Sequence, residues 1–360
     1  MRCRSNPNLE EADMTTHGDN APAAGLNRRA LLLSSGAAVL TSQFLASRSA
    51  SAAAAASDLK FAASLGWTTF DSGRHLQEGF KAGVKELGGN LTMTDAGFDP
   101  KKQIEQIDAL IATKPDVLLI TPSDGVVIAP AVGRAIKAGI PVFTADSLVP
   151  GMDVVSTAMS NNFGMGAYAA EYIAKQLGGK GKIARVSLPK NVTWDQRTRG
   201  FESVMRGYPD IKVGAFWSYD FTAGVTPRQA MDKIIASHPD LDAIWCAWDG
   251  AAVDGVAAAK AADRPKMILT GIDGGSDAFK LIAAGTQLKL TLAQAFYEMS
   301  HQAVFNAHQL KAGKKPPRLI ITPSYAVLQP MLTKGIPDDY DVTGRAAKLG
   351  WAPAALVSAP

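Results

Sequence analysis

The stretch DVLLITPSDGVVIAPAVGRAIKAGIPVFTAD, residues 116–146, places a short aliphatic run (DVLLI, 116–120) before a segment of helical period and a second apolar run (GIPVFTAD, 139–146). Runs of this length, rich in Val, Ile and Leu and bounded by Gly and Pro, read as buried strands, and the segment between them reads as a helix. Strand, helix and strand in succession make a parallel crossover, because two parallel strands need a connection of about this length.

The same unit recurs on both sides. Upstream, LKFAASL (59–65) reads as a strand, RHLQEGFKAGVKELGG (74–89) as a helix closed by Gly88-Gly89, and NLTMTD (90–95) as the next strand. Asp99-Pro100 supplies an N-cap and a first-turn proline for a helix through Lys114, which Pro115 stops. Downstream come KIARVSL (182–188), VGAFW (213–217), AIWCAW (243–248), MILTGID (267–273) and LKLTLAQ (288–294), with a longer connection at 147–162. Strict alternation specifies parallel sheets covered on both faces. The units are too many for one comfortable open sheet, so the α/β fold expected is two doubly wound parallel-sheet lobes. A closed eightfold barrel ranks below it, because the spacing breaks at 147–162 and 320–360 fits no ninth unit.

The beginning of the chain has a different character. NRRALLLSSGAAVL (27–40) sets Arg28-Arg29 before an uncharged run broken by Ser34, Ser35 and Gly36, too short and weakly apolar for a stable membrane span. Overlapping Ala-x-Ala sites follow, so residues 1–56 are expected to be a removable export signal and the mature protein periplasmic. The arginine pair followed by Leu31 and Leu32 resembles a twin-arginine signal, with an ordinary secretory signal as the alternative. About 300 residues remain, the usual size for two α/β domains. The signal takes five arginines (2, 4, 28, 29 and 48) and four acidic residues (10, 11, 13 and 19), so the mature chain stays close to the full chain's net charge of +4. No Lys/Arg cluster larger than an adjacent pair such as Lys314-Lys315 interrupts it, which excludes a nucleic-acid binder. Cys3 falls in the signal and Cys246 stands alone in the mature chain, excluding an intramolecular disulfide.

In open parallel sheets ligands sit beyond the carboxyl ends of the strands. There the sequence offers Trp67 and Phe70 after the first strand, each either facing a ligand or packed under its own loop. Asp124 is expected to cap the following helix. Asp146 follows PVFTA with no helix immediately behind it to cap, which leaves its carboxylate for a ligand. Arg197 and Arg199 are two apart, so one faces the cleft and the other solvent. Phe221 lies furthest past VGAFW, and Trp248 ends AIWCAW. Asp249 reads as a cap for its helix, and Ser276 as the next helix's cap, which frees Asp273. Together with Gln294, this inventory suits a polyhydroxylated, uncharged ligand: carboxylates accept from hydroxyls, an arginine fork donates to two oxygens, and aromatic faces cover the C–H side of a ring.

Catalytic signatures do not compete. GGKGK (178–182) lacks Walker spacing, and GxGxxG after the first strand, HExxH and GxSxG are missing. His17, His75, His238, His301 and His308 have no metal-ligand spacing, and His301 and His308 read as helix-packing or solvated residues. No cofactor, metal or enzyme activity is expected.

The stretches GIPVFTAD (139–146), RTRGF (197–201), SHPDLDAIWCAWD (237–249), LTGIDG (269–274) and LTLAQ (290–294) together make the chain similar to the periplasmic sugar-binding proteins of the ribose-binding type, which serve ABC importers. The resemblance runs from about Leu59 to Leu328 and implies a type I periplasmic binding protein fold with a three-segment hinge near 160–162, 294–295 and 322–324. It implies an N-terminal lobe of 57–160 plus 295–322 and a C-terminal lobe of 161–294 plus 323–360. It further implies a monomer that closes on a sugar or polyol and delivers it to an ABC transporter permease. The family's ligand-binding residues match Asp146, Arg197, Asp273 and Gln294. Ser147 stands where ribose binders have arginine, Trp248 where they have asparagine, and the longer first loop aligns Trp67 and Phe70 only approximately with their stacking phenylalanines. Loss of a cationic fork and gain of a large aromatic imply a pocket unlike theirs. A periplasmic sensor for a furanosyl-type signal is the second reading, and an exported α/β enzyme the third.

Overall fold

The structure, a computed structural model, describes residues 58–188, 191–219, 224–336 and 342–359. The export segment 1–56 and Phe221 lie outside the described residues.

Twelve strands are described, in two six-stranded sheets. The first contains β1 (Lys60–Leu65), β2 (Asn90–Asp95), β3 (Val117–Thr121), β4 (Val142–Ala145), β5 (Ser156–Ser160) and β11 (Leu319–Thr322), in the order β11-β5-β4-β3-β1-β2. All its pairings are parallel. The second contains β6 (Gly181–Ser187), β7 (Ile211–Ser218), β8 (Ala243–Cys246), β9 (Ile268–Asp273), β10 (Leu288–Gln294) and β12 (Ser324–Val327), in the order β12-β10-β9-β8-β6-β7. Here only β12, on β10, is antiparallel. In each sheet the strand order reverses beside the first strand, as the alternation of units requires.

Helices α1 (Asp71–Leu87), α2 (Pro100–Ala112), α3 (Ala129–Lys137) and α9 (Phe296–Lys311) cover the first sheet. Alternation along β1 divides its core: Phe61, Ala63 and Leu65 meet Leu76, Phe80, Met299 and Val304 of α1 and α9, whereas Ala62 meets Ile107 and Val132 of α2 and α3. Helices α4 (Asn162–Gln176), α5 (Val192–Met205), α6 (Pro227–Ser237), α7 (Asp249–Ala261), α8 (Ser276–Ala283) and α10 (Val342–Leu349) belong to the second core. His301 and His308 on α9 bond Glu86 at 2.9 Å and the Gly88 carbonyl at 3.0 Å, fastening α9 to the end of α1.

The chain passes between the sheets three times: through Asn161 from β5 to α4, through Ala295 from β10 to α9, and through Pro323 from β11 to β12. The long connection at 147–162 contains β5, which the sequence pattern missed because STAMS is polar. Its polar groups, the Ser160 hydroxyl excepted, are bonded inside the fold. Ser156 donates to the Pro317 carbonyl at 2.6 Å and accepts from Asn306, and the Thr157 and Thr144 hydroxyls meet at 2.7 Å. Burial without cost to polar groups depends on such pairing.

Candidate functional site

The carboxyl ends of β1, β3 and β4 in one sheet and β6 to β9 in the other surround a cavity of about 380 Å³, within the range of small-molecule sites. Of the residues singled out from sequence, Trp67, Phe70, Asp146, Arg197, Trp248 and Asp273 line it. Gln294 does not line it. It is fully buried behind Asp273, to which its side-chain amide donates at 2.8 Å.

The cavity has an aromatic wall on each side. Trp67 stacks on Phe98 with centroids 4.7 Å apart and planes 10° from parallel, and Phe70 leans on Phe98 at 5.7 Å. Trp67 therefore packs within its own loop and also faces the cavity, where Phe70 is half exposed. Opposite, Trp194 stacks on Trp248 at 4.4 Å and 12°, with Tyr219 tilted on Trp248 at 5.5 Å. Phe98, Trp194 and Tyr219 were not assigned to the site from sequence. Their partners are 31, 54 and 29 residues away, beyond the reach of local pattern.

Arg197 is buried and held from three directions. Its Nε donates to Asn162 at 2.8 Å, and its Nη1 donates to the Ala247 carbonyl at 2.6 Å and to Asp273 at 3.1 Å. Arg199, by contrast, points outward and pairs with Asp195. The position of Arg197 follows from two glycines. A Cβ on Gly166 of α4 would strike the Arg197 backbone, and one on Gly200 of α5 would strike the Phe163 carbonyl. Without side chains there the two helices lie close enough for Arg197 to reach Asn162.

Asp146 and Asp273 both have left-handed backbone, with φ of 74° and 136°, conformations that are costly for a residue with a Cβ. Burial raises the Asp146 carboxyl from 3.8 to about 6, opposed by the Arg197 charge. Burial raises Asp273 to about 6 as well, against Arg197 and with help from Asp146. Each thus resists ionisation in the closed cleft.

Three capping assignments made from sequence are corrected. Asp249 is the first residue of α7 but does not cap it. Its carboxylate accepts from the Gly274 and Gly275 amides at 2.8 Å and from the Thr291 hydroxyl at 2.7 Å, so it braces the turn after β9 and lines the cavity. Burial, then the neighbouring Asp273, pushes it up to about 7. Ser276 does not cap α8 either. Its amide and hydroxyl both donate at 2.8 Å to Asp71, the first residue of α1 in the other lobe. Asp124 accepts from the Val126 and Val127 amides and so caps the turn before α3 rather than α3 itself, whose N-cap is Ile128.

Two further bonds cross the cleft. The Thr193 hydroxyl donates to Ser147 at 2.9 Å, and the Asn191 amide donates to the Ser123 carbonyl at 3.4 Å. Ser123 is itself fixed by Gln103, which accepts from its amide and hydroxyl and donates to the Thr121 carbonyl.

Two lobes joined by three crossovers, with polar and aromatic groups meeting at their strand ends, define a class: a binding protein that encloses a small ligand. The sequence matches the periplasmic binding protein domain family over residues 64–315, and the chain belongs to that family. It is 28% identical to the ribose import binding protein of Salmonella typhimurium over 242 residues, 67% of this chain and 80% of that one. Two solved structures are each 25% identical. Both are ABC transporter solute-binding proteins from Agrobacterium vitis, one bound to α-D-tagatopyranose and one to allitol. The first has a TM-score of 0.72 and covers 77% of this chain and 96% of its own; the second has 0.71 and covers 78% and 98%. Among the described residues no helix is long and apolar enough to cross a membrane, and no group of three or more His, Cys, Asp or Glu could hold a metal ion.

Proposed function

We propose that the protein is the periplasmic substrate-binding component of an ABC importer, which closes on a sugar or polyol and presents it to a membrane permease. The observation that carries this reading is the pairing of two aromatic stacks, one from each lobe, with the Arg197–Asp273 pair and Asp146 in a single cavity. Ring faces of tryptophan cover the C–H side of a sugar, and a guanidinium with carboxylates matches donors and acceptors of adjacent hydroxyls. The relatives that bind ribose, tagatose and allitol support the same chemistry.

In this reading Trp67, Phe70, Trp248 and Phe221 form the apolar walls, Arg197, Asp146 and Asp273 hold hydroxyls, and Gln294 orients Asp273. The lobes are 57–160 with 295–322 and 161–294 with 323–360, and the protein acts as a monomer exported by the signal in 1–56. Closure turns on the three crossovers at Asn161, Ala295 and Pro323, and the Asp71–Ser276 and Ser147–Thr193 bonds fasten the closed form.

Screening the mature protein by thermal shift against pentoses, hexoses, alditols and cyclitols tests the reading, since a ligand at 100 times its Kd adds about 2.7 kcal/mol. A stable complex with an unaltered sugar or polyol is expected. Turnover of the added compound, or no shift with any of them, would refute it.

A further inference from the structure

Charge in the cleft is unbalanced. Among the described residues lining the cavity, Asp71, Asp146, Asp249, Asp254, Asp273 and Asp277 bring carboxyl groups, and Arg197 is the cation. Three of the six are answered near the rim: Asp71 pairs with Arg74, Asp277 with Lys280, and Asp254 lies near Arg228. Of the inner three, Asp146, Asp249 and Asp273, the first and last share Arg197. Asp249 is satisfied by two backbone amides and a hydroxyl, and Asp273 by Arg197 and Gln294. Asp146 is 5% exposed, lines the cavity, and its carboxylate has no hydrogen bond among the described residues.

A buried carboxylate without a partner is costly, and a cleft that sets one such group, Asp146, among two further buried carboxyls and one guanidinium favours an incoming cation. Trp67 and Trp248 line the same cavity, and a cation over either ring would be attracted by it. The sequence reading set Asp249 aside as a helix cap, and its place in the cavity lining adds a carboxyl to the inventory. Ser147 contributes to the deficit, standing where ribose binders have arginine and bonding Thr193 instead.

Resting on the sugar or polyol reading above, we propose that the ligand carries a protonated amine, an amino sugar or amino alditol, with its ammonium seated against Asp146 and facing Asp273. The amine donates to Asp146, the remaining hydroxyls meet Arg197 and Asp273, and the carbon skeleton lies between the two aromatic stacks.

Matched pairs differing by one amine test this by calorimetric titration at pH 7.5: D-glucosamine against D-glucose, D-galactosamine against D-galactose, and 1-amino-1-deoxy-D-sorbitol against D-sorbitol. At least one amine should bind about tenfold tighter than its neutral partner, the difference expected between a charged and a neutral hydrogen bond. The preference should vanish in Asp146→Asn. On the wild type, titration at pH 6 in buffers of different ionisation enthalpy should show protons released on binding the amine, as the inner carboxyls ionise beside it. This second measurement decides the matter if the variant does not fold. Neutral partners binding as tightly or more tightly, with no proton release by the amines, would overturn the inference and leave the sugar reading intact. No binding by either series would remove both.

Discussion

At the scale of single residues, the cleft trades stability for affinity. Asp146 is raised to about 6 by burial, so its protonated form is favoured in the fold. Its contribution to stability is therefore complete below its ordinary value of 3.8 and is lost as pH rises through 6. Asp146→Asn should stabilise the ligand-free protein at pH 7.5 by up to roughly 3 kcal/mol, the equivalent of about two pH units. The gain should shrink as pH falls toward 4. Urea unfolding at both pH values measures it, and equal gains at the two would show that ionisation is not the cause. Arg197→Ala should cost about 2 to 5 kcal/mol in affinity for whichever compound the screen identifies, because Asp273 is left buried without its cation. Asp249→Ala should lower affinity as well as stability, since the Gly274-Gly275 turn that carries Asp273 loses its brace. Calorimetry that found affinity unchanged for that variant would restore a purely structural role.

At the scale of elements, most of the architecture was legible because strand and helix differ in period, and the period survives wherever an element has one buried face. β5 escaped because three of its five buried residues are serine or threonine, and the capping assignments failed because a side chain's partner need not be local. Asp71 meets Ser276 across 205 positions, and no pattern in either neighbourhood points to the other. RTRGF shows a motif whose glycine has a physical reason that only the packed helices reveal. Gly200→Val should force α5 from α4, displace Arg197 from Asn162, and lower both stability and affinity, the former by about 1 to 3 kcal/mol from overpacking. A crystal structure or a pair of thermal unfolding and titration curves would check it. Normal binding by Gly200→Val would show that the approach of the helices does not place Arg197.

For the whole molecule, the bonds across the cleft set the balance between open and closed forms. Asp71→Ala removes the acceptor for two donors of Ser276 and should favour the open form without touching the inner carboxyls. Small-angle scattering should show a larger radius of gyration for this variant without ligand, converging on the wild type at saturation. An identical profile in both states would mean that Asp71 does not fasten the lobes. The site itself was read in part from sequence because strand ends in parallel sheets are predictable places. What the sequence withheld was which strand ends face one another, and with that the charge count of the cleft.

Helix α9 begins at Phe296 yet completes the core of the first lobe, where Met299, Ala303, Val304 and Ala307 meet Leu76, Phe80 and Val84 of α1. The lobe that leaves the ribosome first is thus left incomplete until most of the second has been made. Until residue 311 has been synthesised, the apolar side of α1 has the first sheet to pack against but lacks α9, while the residues of the second lobe from β6 to β10 already form a continuous run. Nascent chains halted at residue 294 should accordingly be cut by protease within 58–160, and chains extended to 336 should resist there. The first lobe waits for a segment that lies beyond most of the second, and a helper that shields the early segment has residues 161–294 in which to act.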